Sequence, residues 1–152
     1  MKRLSLKKTL TVAIAMLAVG LAQTTWAHSG GGVIDAEGVN ASATDLAAVT
    51  CSDDGNGAPH YLMAQIKDTS EYVPGLLLSV HIYKGNKMTT STDTVPGDAE
   101  YSPEVALYGG TGVYYLSITK TNAGSRSFDV IWHCMTAEGL HTGTDIAVVQ
   151  FQ

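Results

Sequence analysis

The chain has 152 residues, nine of them basic and fourteen acidic, and a formal net charge of −5 at pH 7. Such an acidic chain is a poor partner for nucleic acid or for an anionic membrane surface, because both are bound mainly through lysine and arginine. Its length fits one domain with a hydrophobic core of its own.

The N-terminal sequence has the features of an export signal. The first eight residues, MKRLSLKK, carry four basic residues and no acid, and a largely apolar run of 13 residues follows from Leu10 to Ala22. A transmembrane helix needs roughly 20 apolar residues, so this run is too short to span a bilayer. Residues 1–27 are therefore predicted to be a cleaved bacterial signal peptide, with export to the periplasm or the outside of the cell and no transmembrane anchor. An uncleaved anchor is the alternative.

The predicted cut follows Ala27, so that the exported chain begins at His28. A cut after Ala22 is the alternative. The cut after Ala27 is preferred because Gln23 to Ala27 separate it from the apolar run. The leader holds four of the nine basic residues and none of the acids, so the exported chain has a formal charge of −9. That charge favours solubility and cations as ligands.

Both cysteines, Cys51 and Cys134, lie after the leader. In an oxidising compartment the usual outcome is a disulfide, here closing a loop of 83 residues. The chain-entropy model assigns a loop of this length roughly 4 to 5 kcal/mol of stabilisation. A thiolate metal site is the alternative, although two cysteines so far apart lack the close spacing of zinc ligands.

The exported chain starts with a glycine-rich segment. HSGGGVIDAEGVNASA contains three consecutive glycines and few apolar residues. Residues 28–44 are predicted to be an N-terminal arm that is either flexible or tied to the edge of a sheet. Residues 45–152 are predicted to form the folded domain.

Apolar and polar residues alternate with period two through this domain, which predicts β-strands. In one such segment Leu78, Val80 and Ile82 share a face and His81 lies on the other, before a turn at Gly85. Short strands between turn signals predict an all-β fold, a single antiparallel β-sandwich of jelly-roll or immunoglobulin-like type. The predicted strands lie in TDLAAVTC, HYLMAQIKD, GLLLSVHIYK, PEVALYG, GVYYLSITK, RSFDVIWHCMT and DIAVVQF.

Residues 61–134 resemble bacterial pre-peptidase C-terminal domains. The similarity lies in LLLSVHIYKGNK, a strand and its turn, and in GGTGVYYLSITKTNAGSRSFDVIWH, a glycine-led aromatic strand with its hairpin partner. The resemblance implies a small jelly-roll-like sandwich without catalytic activity, of a kind that in some members binds calcium or helps bind substrate. The chain departs from the family in its cysteine pair and in the segments that flank the similar region.

All five histidines follow the leader, together with three methionines. Imidazole suits Cu(II) and Zn(II), whereas a thioether suits Cu(I). Cleavage before His28 would place an α-amino nitrogen and a ring nitrogen in one residue, a chelating pair for copper. His133 and Met135 project from the same face of a predicted strand, about 6 to 7 Å apart. The predicted copper ligands are His28, His133, Met135, His141 and His81.

A start at histidine also resembles the CopC-like exported copper carriers. The stretch TAEGLHTGTDIAVVQF is similar to an Asp-Gly-His stretch near the end of that family, although Leu140 puts His141 out of register. The resemblance implies a brace-like copper site completed by a second histidine. The alternative is that signal peptidase tolerates a histidine at this position and that the other histidines are ordinary strand residues.

The loop CSDDGNGAP offers a different cation site. Asp53, Asp54 and Asn56 could supply part of the oxygen set that calcium requires. The spacing does not match the twelve-residue EF-hand loop, and Asp, Asn and Gly are also the usual turn residues. A calcium site and a plain turn are therefore the two interpretations.

The sequence contains neither a Gly-x-Ser-x-Gly elbow nor a His-Glu-x-x-His motif, so the protein is predicted not to be an enzyme. The first functional hypothesis is an exported accessory protein that binds another protein, a surface or a glycan. The second is a copper-binding protein that uses His28. The third is a homo-oligomeric subunit of a cell-surface assembly, in which the arm adds a strand to a neighbour's sheet.

Overall fold

The computed structural model of the chain describes residues 28–152, so the predicted signal peptide and both cut positions lie outside the described residues. Within this part, no helix is long and apolar enough to cross a membrane. The described residues form nine strands. In chain order they are β1 (Ser29–Ile34), β2 (Thr44–Ser52), β3 (Tyr61–Asp68), β4 (Leu78–Lys84), β5 (Lys87–Asp93), β6 (Val105–Tyr108), β7 (Gly112–Lys120), β8 (Arg126–Met135) and β9 (Gly143–Gln150).

The strands form two sheets that pack face to face. The first sheet has the order β1-β8-β3-β6, and the second has the order β5-β4-β7-β2-β9. Every pairing is antiparallel. The predicted all-β sandwich is thus confirmed, and each of the seven predicted strands is present.

The core lies between the sheets and follows the predicted alternation. Leu78, Val80 and Ile82 of β4 are fully buried, whereas the residues between them are half-buried on the outer face. In β8, every second residue from Phe128 to Cys134 belongs to the core. Burial of one face of each sheet therefore accounts for the period-two pattern in the sequence.

A disulfide joins the two sheets. Cys51 of β2 pairs with Cys134 of β8, with the two Cα atoms 5.5 Å apart, and both side chains are fully buried. The predicted disulfide is confirmed, and the thiolate metal site is excluded because neither sulfur is free. The bond anchors the C-terminal half of β8 from the core side.

Two strands are additional to those predicted. The glycine run of the N-terminal arm forms β1 at the edge of the first sheet, where it pairs with β8. A Cβ atom at Gly31 would lie 2.6 Å from the carbonyl oxygen of Phe128, so glycine is needed for this close approach. The other strand, β5, is polar and follows the predicted turn, where Gly85 has a φ of +61°. Neither segment has the apolar alternation that marks a half-buried strand.

Candidate metal centre

The pairing of β1 with β8 places His28, the first described residue, near His133. The backbone N–H of Trp132 donates to the carbonyl oxygen of His28 at 3.0 Å, which extends the ladder one step beyond β1. His28 therefore lies beside the end of β8 that carries His133. The arm that holds His28 is fixed by a strand pairing, as a metal ligand requires.

A tight turn after β8 reverses the chain and returns a third histidine, His141, to the end of β8. The N–H of Thr136 donates to the carbonyl oxygen of Leu140 at 2.8 Å, and the N–H of Thr142 donates to that of Cys134 at 3.0 Å. Gly139, with a φ of +76°, permits the reversal. The turn places His141 opposite Met135 in an isolated antiparallel bridge.

His28, His133 and His141 form a three-histidine cluster. One ring nitrogen from each lies within 4.8 Å of the others. The ring centroids of His133 and His141 are 4.1 Å apart, and those of His28 and His133 are 6.0 Å apart. Nitrogens bound about 2.0 Å from one ion lie roughly 3 to 4 Å apart, so side-chain shifts of about 1 Å would complete the coordination.

The surroundings of His133 and His141 favour their neutral imidazoles. His133 is buried and the other two rings are half-buried. Burial lowers the pKa of His133 to about 4, with a further contribution from repulsion by His141 and His28. Burial also lowers the pKa of His141, as does its neighbour His28. A neutral imidazole has the lone pair that a metal ligand needs.

Two ring nitrogens of the cluster lack any hydrogen-bond partner in the described part of the chain. They are Nδ1 of His28 and Nδ1 of His133, and both atoms are buried. Buried polar atoms are nearly always paired, so these two nitrogens are available to a ligand. The donor set of the cluster therefore fits a nitrogen-preferring transition metal.

Two methionines flank the cluster. Met135 lies two residues beyond His133 on the same face of β8 and is half-buried. Met63 of β3 is directly opposite His133 in the sheet register and is buried. Side chains in such opposed pairs have Cβ atoms about 4.5 to 5.5 Å apart. Sequence reasoning missed Met63, because only the pairing of β3 with β8 reveals its neighbour.

His81 does not join the cluster, although it was predicted among the copper ligands. Its strand, β4, belongs to the second sheet and does not pair with β8. Both ring nitrogens are hydrogen-bonded, Nδ1 to the hydroxyl of Thr90 and Nε2 to that of Thr119, each at 2.8 Å. This histidine is held by its own sheet and has no nitrogen left for a metal.

The loop predicted as a calcium site is a network of turn hydrogen bonds. Oδ1 of Asp53 accepts the backbone N–H groups of Gly55 and Gly57, and Oδ1 of Asp54 accepts that of Asn56. These bonds are the ones that Asp provides in turns. The carboxylates shape the loop between β2 and β3, as the plain-turn interpretation expects.

The fold and the site together define a class of protein: a disulfide-linked antiparallel β-sandwich that carries a three-histidine cluster at one end. No protein-family model matches the chain, and no curated protein matches it. The function is therefore inferred from the residues of the site.

Proposed function

We propose that the protein is an exported, non-catalytic copper-binding protein whose ligands are His28, His133 and His141. The observation that carries the proposal is the approach of three imidazole nitrogens, from three separate segments, to within 4.8 Å of one another. In a chain cut after Ala27, the α-amino nitrogen of His28 is a fourth nitrogen ligand. Four nitrogens suit the tetragonal geometry of Cu(II).

The nitrogen donor set favours copper over other divalent ions. Cu(II) binds nitrogen sites more tightly than its neighbours in the first transition row. The chain from His28 onward has a formal charge of −9, which attracts cations to the whole molecule. Zinc also binds three histidines, so it is the competing ion in the test.

Export and a binding role belong to the same proposal. The signal-like leader and the buried disulfide both fit an oxidising compartment. His133 is buried, and the other two ligands are half-buried, so a bound ion would be enclosed by side chains. Such a position suits holding an ion rather than presenting it to a large substrate.

The proposal is tested on protein exported with its own leader. Its intact mass gives the first residue, which we expect to be His28. Cu(II) and Zn(II) are then titrated, in competition with a chelator, into wild type, His28→Ala and His60→Ala. His60 is the matched control because it is an exposed histidine outside the cluster. We expect His28→Ala to weaken Cu(II) binding by at least about a hundredfold, more than loss of a supporting residue costs, and His60→Ala to leave it unchanged.

A second variant isolates the amino nitrogen. One alanine retained before His28 keeps the imidazole but moves the free amino group away from the ring. We expect this extended chain to bind Cu(II) more weakly than the authentic one, with fewer nitrogens in the electron paramagnetic resonance spectrum. A mature chain that begins at Gln23, or equal Cu(II) affinity in wild type and His28→Ala, would overturn the proposed ligand set. Tighter binding of Zn(II) than of Cu(II) would overturn the choice of metal.

A further inference from the structure

The loop between β2 and β3 contains an asparagine followed directly by a glycine, Asn56 and Gly57. The other three asparagines from His28 onward precede alanine or lysine. Asparagine is a chemically labile residue, and its side-chain carbonyl carbon can close a five-membered ring with the next backbone nitrogen. Glycine leaves that nitrogen unshielded, because it has no Cβ. Asn56 is therefore the asparagine best placed for attack by its own backbone.

The side chain of Asn56 is unrestrained. The residue is exposed, and its amide makes no hydrogen bond with any described residue. By contrast, Oδ1 of Asn40 accepts the backbone N–H of Ser42, and Oδ1 of Asn122 accepts that of the residue after it, each at 2.9 Å. Exposure of the loop also gives access to water, which hydrolysis of such a ring requires.

A carboxylate is hydrogen-bonded to the nitrogen that must attack. The backbone N–H of Gly57 donates to Oδ1 of Asp53 at 3.1 Å. A general base must lie within roughly 2.6–3.2 Å of the atom whose proton it removes, and this contact meets that condition. The neighbouring carboxylate of Asp54 is placed differently, because its Oδ1 accepts the N–H of Asn56, which takes no part in ring closure.

We propose that Asn56 is a site of spontaneous deamidation and that Asp53 is its general base. The nitrogen of Gly57 attacks Cγ of Asn56, and its proton passes to Asp53. The proton is then delivered to the amide nitrogen of Asn56, the bond from Cγ to that nitrogen breaks, and ammonia departs from a five-membered succinimide. Water opens the ring at either carbonyl, which gives aspartate or isoaspartate. Both reacting groups belong to adjacent residues, so ring closure has the advantage of an intramolecular reaction.

The product alters a loop that is joined to the turn carrying His141. The hydroxyl of Thr142, the next residue, donates to the carbonyl oxygen of Gly57 at 2.7 Å. Isoaspartate places one additional methylene in the backbone before Gly57, so this carbonyl group shifts relative to Thr142. The backbone N–H of Thr142 donates to the carbonyl oxygen of Cys134, and we expect its hydrogen exchange to be faster in the isoaspartate form.

The test follows the exported protein during incubation at neutral pH. Peptide mass spectrometry detects the conversion of an amide to an acid, and chromatography separates the aspartate and isoaspartate products. Asn40, Asn86 and Asn122 are internal controls in the same chain. We expect Asn56 to be converted before any of these three, without added enzyme or metal.

Two variants test the role of Asp53. Asp53→Asn keeps an oxygen that can accept the N–H of Gly57 but removes the base. Conversion of Asn56 should then slow by at least about tenfold, since general-base catalysis typically contributes roughly 10²–10⁴-fold. Asp54→Ser is the matched control, because it removes the same charge from the same loop but leaves Asp53 on the attacking nitrogen. It should be converted at the wild-type rate.

Four results would overturn parts of the proposal. Conversion of another asparagine before Asn56 would reject the site. Slower conversion in the folded protein than in a synthetic peptide of residues 52–59 would show that the hydrogen bond to Asp53 shields the nitrogen, and would reject the base. Equal slowing in Asp53→Asn and Asp54→Ser would assign the effect to charge alone. Unchanged hydrogen exchange at Thr142 in the isoaspartate form would reject the link to the turn. None of these readouts depends on copper, so they are independent of the proposed metal site.

Discussion

Two histidine sites on opposite sheets differ in one respect that decides their chemistry. His81 and His133 both lie on central strands with side chains directed away from the core. Both nitrogens of His81 are paired with threonine hydroxyls, whereas Nδ1 of His133 is buried without a partner and faces two further histidines. Cross-strand neighbours, not position in the pattern, therefore decide whether the ring nitrogens of a strand histidine are already paired or are available to a metal.

The largest expected difference between the two sites concerns the disulfide. It holds the strand that carries His133 and makes no direct link to β4. Replacing both cysteines by serine should lower the free energy of unfolding by about 4 kcal/mol, as expected for a loop of 83 residues. Urea denaturation measures the loss, and hydrogen exchange should show faster opening at His133 than at His81. Equal acceleration at both strands would mean that the bond stabilises the fold without favouring the cluster.

The next difference is in copper affinity. His133→Asn removes a proposed ligand from the cluster, so Cu(II) affinity should fall by about a hundredfold or more, beyond the effect of losing a supporting residue. His81→Asn should leave the affinity unchanged, because that ring has no free nitrogen. Isothermal titration calorimetry with a competing chelator measures both. A comparable loss in His81→Asn would contradict the division between the two sites.

A smaller difference is expected in the response of the metal-free protein to acid. Burial lowers the pKa of both histidines in the folded state, that of His133 to about 4. Below the unfolded value of about 6.5, the unfolded chain takes up the proton first, so stability is lost as pH falls towards the folded pKa. We expect a loss on the order of 2 kcal/mol from His133 between about pH 6.5 and 4.

Urea denaturation of three chains across that pH range separates this contribution from that of the carboxylates. His133→Asn should flatten the pH dependence more than His81→Asn, because its pKa is shifted further. The carboxylates are common to wild type and both variants and therefore cancel. The opposite order of the two variants would show that His81 is the more strongly perturbed group.

The smallest expected effect depends on the oxidation state of the metal. Met63 is opposite His133 and offers a thioether, which prefers Cu(I). Met63→Leu keeps the apolar volume and should weaken Cu(I) binding by about tenfold while leaving Cu(II) binding unchanged. Anaerobic competition with a Cu(I) chelator measures the first, and titration of Cu(II) measures the second. Met88→Leu is the control, since Met88 is exposed on β5 of the other sheet.

Much of the fold could be predicted because its signals are local. Leu78, Val80 and Ile82 alternate with polar residues, and a strand buried on one face must show that alternation. β1 and β5 lack it for different reasons: the glycines of β1 permit close approach to β8, and β5 is a polar edge strand. Strands of these two kinds can be assigned only once their partner strands are known.

The candidate site could be predicted only in part. The sequence indicated His28, His133 and His141 through residue type and the expected cut, and the structure brings these three together. It indicated His81 only on the condition that its strand neighbours β8, and the structure places that residue on the other sheet. Which side chains meet depends on strand pairing between residues far apart in the chain, and that information is absent from a local pattern.

The sequence by itself determined the alternation of apolar and polar residues along the strands, the pairing of two cysteines and the set of histidines available as ligands. These follow from covalent order and from the alternation of side chains along a strand. Tertiary structure alone decided that three of the five histidines meet, that Met63 lies beside them, and that an apolar cavity lies next to Trp132. Sheet order and register set these neighbours, and both are determined by the packing of the whole sandwich.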